Sequence, residues 1–180
     1  MKVLFLDIDG VINSYDNIHT RLKQFRENKI PNRDQFGALF DKKCIKYLDL
    51  IIKETNCKIV ISSSWRRVGL KKMKEMWITR ELPGEIIDIT PKRIRTEILA
   101  KFKGGITRGS EIQQWIEDNH PYSYCIVDDD DDMLPHQNFV KTNTYNGLDI
   151  KATKKIIKIL NQKDEKNNFI GKASNSIMVR

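Results

Sequence analysis

Phe5-Leu6-Asp7-Ile8-Asp9-Gly10-Val11-Ile12-Asn13 closes an apolar run that begins at Val3, and its reading decides the fold. An unbroken apolar run bounded by charge marks a strand buried on both faces, so Val3 to Leu6 reads as such a strand. Two carboxylates sit two residues apart where it ends. In an extended segment alternate side chains share a face, so Asp7 and Asp9 can both address one site. Gly10 lets the backbone turn sharply and leaves amides near a ligand. Two like charges held close are costly unless a cation or a proton neutralises them. An isolated Asp-x-Asp is commonly a solvent-exposed turn. The apolar strand before this one, with Gly10, Val11 and Ile12 after it, makes it specific.

Working outward, Lys58 to Ile61, Tyr124 to Val127 and Ile86 to Ile89 read as further strands, and Phe139 to Lys141 as a short late one. Helical patterns lie between them. Asp41 caps a helix carrying Cys44, Tyr47, Leu48, Ile51 and Ile52 on one face, with Asn56 as its stop. Gly69 to Arg80 carries Leu70, Met73, Met76 and Trp77 at similar spacing. Ser110 and Gln113 form a capping box ahead of Ile112, Trp115 and Ile116. Asp149 caps a last helix with Thr153, Ile156, Ile157 and Leu160 inward. Alternating strands and helices give an α/β class: a three-layer, Rossmann-like parallel sheet with helices on both faces. Ligands of such sheets sit at the carboxyl ends of the strands, where every polar motif here begins.

The chain has 180 residues, 39% hydrophobic and 31% charged, with a net charge of +8 and a pI near 9.3. This is the composition of a soluble globular protein that attracts anions, phosphate esters and nucleic acids among them. One domain over 1–162 and a polar tail over 163–180 account for the length. Within the domain, 14–40 is a basic stretch with Arg21, Lys23, Arg26, Lys29 and Arg33 around Leu22, Phe25 and Ile30, and reads as a lid or a partly helical flap beside the site. No apolar stretch reaches membrane-spanning length, and the N-terminal run is too short for a signal peptide core. A cytoplasmic location and no membrane partner are the expectation. Cys44, Cys57 and Cys125 match no zinc spacing and read as buried apolar residues. His19, His120 and His136 are scattered without ligand spacing.

Three more motifs follow strand ends. In Ile59-Val60-Ile61-Ser62-Ser63-Ser64-Trp65-Arg66-Arg67, a serine hydroxyl at the strand end can donate to a phosphoryl oxygen. Ser63 is favoured, Ser62 is the runner-up, and Ser64 completes the triplet. Arg66 is a candidate phosphate ligand, and Trp65 reads as packing. In Arg108-Gly109-Ser110-Glu111-Ile112, a cation stands at a helix N-terminus against the dipole, a conflict that a bound anion relieves. In Tyr124-Cys125-Ile126-Val127-Asp128-Asp129-Asp130-Asp131-Asp132, five aspartates leave a buried strand directly. Such oxygen-rich clusters suit Mg²⁺. Asp128 is the expected direct ligand, with Asp129 direct or through water; Asp132 orients the loop, and Asp130 and Asp131 face solvent.

These four motifs, in this order, resemble the haloacid dehalogenase-like (HAD) phosphatase superfamily over roughly Met1 to Leu160. Asp7-Ile8-Asp9-Gly10 is the most specific match. The Ser-Ser-Trp-Arg, Arg-Gly-x-Glu-Ile and Asp-Asp-x-x-Asp details are similar to a small subgroup, some of whose members occur in nucleic-acid repair proteins. The resemblance implies a phosphohydrolase in which Asp7 attacks phosphorus and Asp9 serves as acid and base. It implies Mg²⁺ held by Asp7, the Asp9 main-chain carbonyl and Asp128, and a phosphoryl group braced by Ser63 and Arg108. Asp9 sets the chain apart from the dehalogenase branch. Family members often use lysine where Arg108 stands, and Lys92 and Lys103 compete for that role. With only a minimal cap, the site is open, which suits a nucleotide or a nucleic-acid terminal phosphate; a phosphorylated small molecule is the broader class. A non-catalytic nucleic-acid-binding module on the same fold and a metal-dependent nuclease are the competing readings.

Overall fold

The computed structural model describes residues 1–91 and 106–162. Lys92, Lys103 and the 163–180 tail lie outside the described residues. Five strands make one parallel sheet: β1 (Lys2–Leu6), β4 (Lys58–Ile61), β5 (Ile86–Ile89), β6 (Ser123–Asp128) and β7 (Phe139–Lys141), in the order β5-β4-β1-β6-β7. Two further strands among the described residues, β2 (Arg33–Asp34) and β3 (Gly37–Ala38), form a small antiparallel hairpin.

The strand containing Val3 to Leu6 is central because it is apolar on both sides. Val3, Leu4, Phe5 and Leu6 are all fully buried. Leu4 and Leu6 face a core built with Cys44, Leu48 and Ile51 of α2 (Lys42–Thr55), Met73 and Met76 of α3 (Leu70–Thr79), and Ile156 and Leu160 of α5 (Ile150–Asn161). Val3 and Phe5 face a second core with Ile112 and Trp115 of α4 (Arg108–Asn119), where Phe5 meets the Trp115 ring edge-on at 5.3 Å. Helices therefore cover both faces, as the strand–helix alternation predicts. All three cysteines are buried free thiols.

The helix ends follow the local chemistry. Asp41 caps α2 by accepting from the Lys43 N–H, and Asn56 closes it in the left-handed conformation. Asp149 caps α5 through the Ala152 N–H. At α4 the expected Ser110–Gln113 box is replaced by one three residues earlier. Thr107 caps, and Ser110 is its reciprocal partner at the third helical position. A serine can serve at either end of such a box, and the sequence pattern took Ser110 for the wrong end.

The 14–40 stretch is a flap of one helix and the hairpin. Helix α1 (Tyr15–Asn28), capped by Ser14, has no buried residue. The hairpin is tied to the end of α3 by Arg80, whose guanidinium forks onto Asp34 at 2.9 and 2.7 Å and reaches the Gly37 carbonyl at 3.2 Å. Among the described residues no helix is long and apolar enough to cross a membrane.

Leu48→Ala removes a fully buried side chain between α2 and the sheet. It is expected to lower unfolding free energy by about 2–5 kcal/mol, read from the urea midpoint at unchanged slope.

Candidate active site

The sheet ladder continues one residue past the strand ends. The Asp7 N–H donates to the Val127 carbonyl at 3.1 Å, and the Ser62 N–H donates to the Leu6 carbonyl at 2.9 Å. Asp7 is thereby held between the residues that follow β4 and the end of β6. After Ile8 the chain makes one tight turn in which the Val11, Ile12 and Asn13 N–H groups all converge on the Ile8 carbonyl. Gly10 is required in that turn. Its φ is +71°, and a Cβ there would lie 2.2 Å from a carboxylate oxygen of Asp129.

Carboxylate oxygens of Asp7, Asp128 and Asp129 lie within 4.8 Å of one another, with Asp7 and Asp128 buried. Two full charges at that spacing repel by about 3–4 kcal/mol at the effective dielectric of a protein edge. Burial pushes the Asp7 carboxyl up to about 8, with the Asp128 charge adding to it and the Ser63 hydroxyl and Arg108 opposing. Burial likewise raises Asp128 to about 6; the Asp130 N–H and Arg108 oppose, and Asp129 and Asp132 add. The buried Oδ2 of Asp128 has no hydrogen-bond partner. A hard divalent cation fits this set: it needs oxygen ligands, offsets the repulsion and gives the orphaned oxygen a partner.

The carboxylate of Asp9 is exposed and lies outside that cluster. Its two oxygens accept from the Trp65 indole N–H at 2.9 Å and from the Asn13 amide at 2.8 Å. Trp65, expected only to pack, is thus a polar partner of the second aspartate, and Asn13 is a partner that the sequence did not suggest. The -Asn13 end of the opening motif carried the only available signal, four residues after Asp9.

Of the three serines, Ser63 is the one whose hydroxyl acts to lower the Asp7 pKa. The Ser62 hydroxyl is buried without a partner. Ser64 is exposed and opens a 3₁₀ turn, Ser64–Val68. Arg66 is buried; it donates to Glu111 at 2.6 Å and to the Ser63 carbonyl at 3.3 Å. Arg108 sits between acids, 3.8 Å from Asp128 and 3.6 Å from Glu111. The charge conflict expected at this helix start is relieved from within the protein. Besides those acids, the Arg108 N–H donates to the Asp132 carboxylate at 2.9 Å and the Gly109 N–H to the Asp132 carbonyl at 3.2 Å. Asp132 orients the loop as expected. Glu111, which bridges both arginines, had no role assigned from the sequence. Asp130 and Asp131 are exposed, and Asp131 pairs with Lys141 at 2.9 Å. His136 is exposed and contacts Gln113. Beside Arg108 opens a cleft of about 370 Å³ lined by Ser64, Arg66, Arg67, Thr107 and Glu111.

The sequence profile of HAD domains in Swiss Army Knife RNA repair proteins matches residues 3–152. Among solved structures, a haloacid dehalogenase-like family hydrolase from Streptococcus pneumoniae is similar at 12% identity and a TM-score of 0.39, covering 71% of this chain and 75% of that one. A likeness that loose bears on nothing beyond itself. No curated protein matches the chain.

Asp7 and Asp128 bind protons more tightly in the folded than in the unfolded chain. In metal-free protein their favourable contribution is therefore present at low pH and is lost as pH rises from the ordinary 3.8 through about 6 and about 8. Asp7→Asn removes the larger of the two effects. With chelator present, its melting temperature is expected to fall less than that of the wild type between about pH 5 and 8. Equal slopes for the two proteins would contradict the electrostatic account.

Proposed function

The chain belongs to the family of HAD domains found in Swiss Army Knife RNA repair proteins, and from that premise we propose that it is a Mg²⁺-dependent phosphomonoesterase working through an aspartyl-phosphate on Asp7. Its fold is that of HAD-family hydrolases. One observation carries the finer reading. A buried carboxylate at a strand end is gathered with two further acids, Ser63 and Arg108 both act to lower its pKa, and Arg108 lies 3.8 Å from Asp128.

Asp7, Asp128 and Asp129, with the Asp9 main-chain carbonyl, would hold the cation. When bound, Mg²⁺ supplies charge neutralisation for the ligands and for the transferring phosphoryl oxygens. The chain's own groups do the rest. An Asp7 oxygen attacks phosphorus, the ester P–O bond breaks, and Asp9 gives the departing oxygen its proton. Asp9 then takes a proton from water. The resulting hydroxide attacks the phosphorus of the aspartyl-phosphate, the bond to Asp7 breaks, and inorganic phosphate leaves. Ser63 donates to a phosphoryl oxygen, and Arg108 offsets charge on the same group. Arg66 holds Glu111 and the Ser63 loop together and lines the adjoining cleft, where the rest of the substrate would lie.

A nucleotide or nucleic-acid terminal phosphate is the substrate class that the surface favours. Lys23, Arg26, Lys29 and Arg33 are exposed on the flap beside the site, and the whole chain carries +8. The description of the family as part of RNA repair proteins points the same way. The flap is small, so a large substrate is not shut out.

Full-length protein is expected to release phosphate from 3′- or 5′-phosphorylated oligonucleotides with Mg²⁺ and to stop when the metal is chelated. Asp7→Asn should abolish turnover. Arg108→Ala should lower kcat by roughly 10²–10³-fold, as loss of one charge-stabilising group does. Beryllofluoride should trap on Asp7 in the wild type. Full activity in Asp7→Asn would end the covalent mechanism, and cleavage of internal phosphodiester bonds would favour a nuclease.

A further inference from the structure

Asp9 is exposed and belongs to a one-turn loop. A free aspartate there samples several rotamers, and ordering it costs free energy before any proton can be delivered along a fixed line. Two donors hold it instead. Asn13 lies four residues on in the same loop and moves with it. Trp65 lies 56 residues away, so its indole N–H is what fixes Asp9 relative to the end of β4. The Trp65 backbone is itself tied there, since its N–H donates to the Ser63 hydroxyl at 3.4 Å.

The Trp65 ring is held from outside by the flap. It meets the Phe40 ring edge-on at 5.3 Å. A Cβ built on Gly37 would be 3.3 Å from the ring, so the hairpin backbone rests directly on the indole. Arg80 locks that hairpin through Asp34 and the Gly37 carbonyl, and its guanidinium carbon lies 4.5 Å over Phe40. One contiguous set of contacts therefore runs from Arg80 and Asp34 through the hairpin and Trp65 to the Asp9 carboxylate.

We propose that Trp65 is the positioning residue of Asp9 and that it passes the seating of the Arg33–Ala38 hairpin on to that carboxylate. The proposal rests on the acid/base reading of Asp9. An indole N–H is a donor only, so Trp65 neither supplies nor accepts the transferred proton. It occupies one lone-pair site of one oxygen and leaves others for the proton and the leaving group. If packing were its whole role, phenylalanine would serve in its place. The hydrogen bond makes the nitrogen matter.

Leaving groups separate the two roles. p-Nitrophenolate departs without a proton, whereas the alkoxide of a nucleoside 3′-phosphate needs one from Asp9. Loss of Asp9 alignment must slow formation of the aspartyl-phosphate from the second substrate and spare the first. The experiment compares single-turnover release of each leaving group with full-length protein and Mg²⁺, for wild type, Trp65→Phe, Asp34→Ala and the double variant. Trp65→Phe keeps the ring stack and removes the donor. Its rate with the nucleoside 3′-phosphate is expected to fall about 10–100-fold, part of the general-acid contribution, and its rate with p-nitrophenyl phosphate to stay within about 3-fold. Asp34→Ala, which frees the hairpin, should show a smaller loss with the same selectivity. The double variant should be no slower than Trp65→Phe alone, because both changes act through one contact. Equal slowing on both substrates, or none on either, would overturn the positioning role. Additive losses in the double variant, or an Asp34→Ala variant without any loss, would overturn the link to the hairpin. Wild type that releases phosphate from neither substrate would sink the phosphomonoesterase reading itself, and this inference with it.

Discussion

The pairing of β1 with β6 places like charges side by side, and the rest of the site is arranged around that. Leu6 pairs with Val127 in register, and the ladder runs on through the Asp7 N–H. Asp7 and Asp128 cannot move apart without breaking it. A one-residue slip of β1 would relieve the repulsion but turn Val3 and Phe5 out of the core they share with Ile112 and Trp115 and into the one that Leu4 and Leu6 fill. The misfit this would force on two close-packed cores outweighs the few kcal/mol of charge repulsion. The core thus holds the acids together, and the turn at Gly10 lets Asp129 fold in over the backbone as a third.

Donors also gather near Asp7, and these are not interchangeable. The first amides of α4 look like a ready anion site, but Asp132 already accepts from the Arg108 and Gly109 N–H groups. Under the proposed function, the Arg108 side chain and the Ser63 hydroxyl are what would meet an incoming phosphoryl. Gly109 permits the close approach, since a Cβ there would lie 2.6 Å from the Leu134 nitrogen. Glu111 then keeps two arginines from repelling each other, with Arg66 on one oxygen and Arg108 near the other. Burial raises the Glu111 carboxyl and lowers the Arg66 guanidinium, while their mutual attraction opposes both shifts. The pair is a clamp between the Ser63 loop and α4 more than a source of net stability.

Most of the sheet was legible because its strands are short apolar runs ending in chemistry-bearing residues. Asp41, Asn56 and Asp149 announced helix boundaries through side-chain capping that depends only on near neighbours. Acids gathered at strand ends were legible for the same reason: each begins where hydrophobicity stops. What the sequence hid were contacts between distant elements. The indole of Trp65 reaching Asp9, Glu111 reaching across to Arg66, and Arg80 seizing the hairpin carry no local pattern. The Thr107 cap was missed because Ser110 offered an equally good local signal. The 14–40 flap showed its charge and its partly helical character but not where the helix runs, since α1 has no buried face whose periodicity could mark it.

That last absence has a physical reading. An isolated helix the length of α1 is marginal in water, and packing usually decides whether such a helix forms. Here local ties stand in for packing. Ser14 caps it and is itself held by Asp41 at 2.7 Å, Lys29 closes it in the left-handed conformation, and Asn17 bonds the Leu39 carbonyl at 3.0 Å. Its solvent face carries Lys23, Arg26 and Phe25. The helix is thus kept in place by its ends and presents a cationic face that the core does not need. Under the proposed phosphatase reading, with so small a cover, that face would hold an anionic substrate larger than the phosphate being removed.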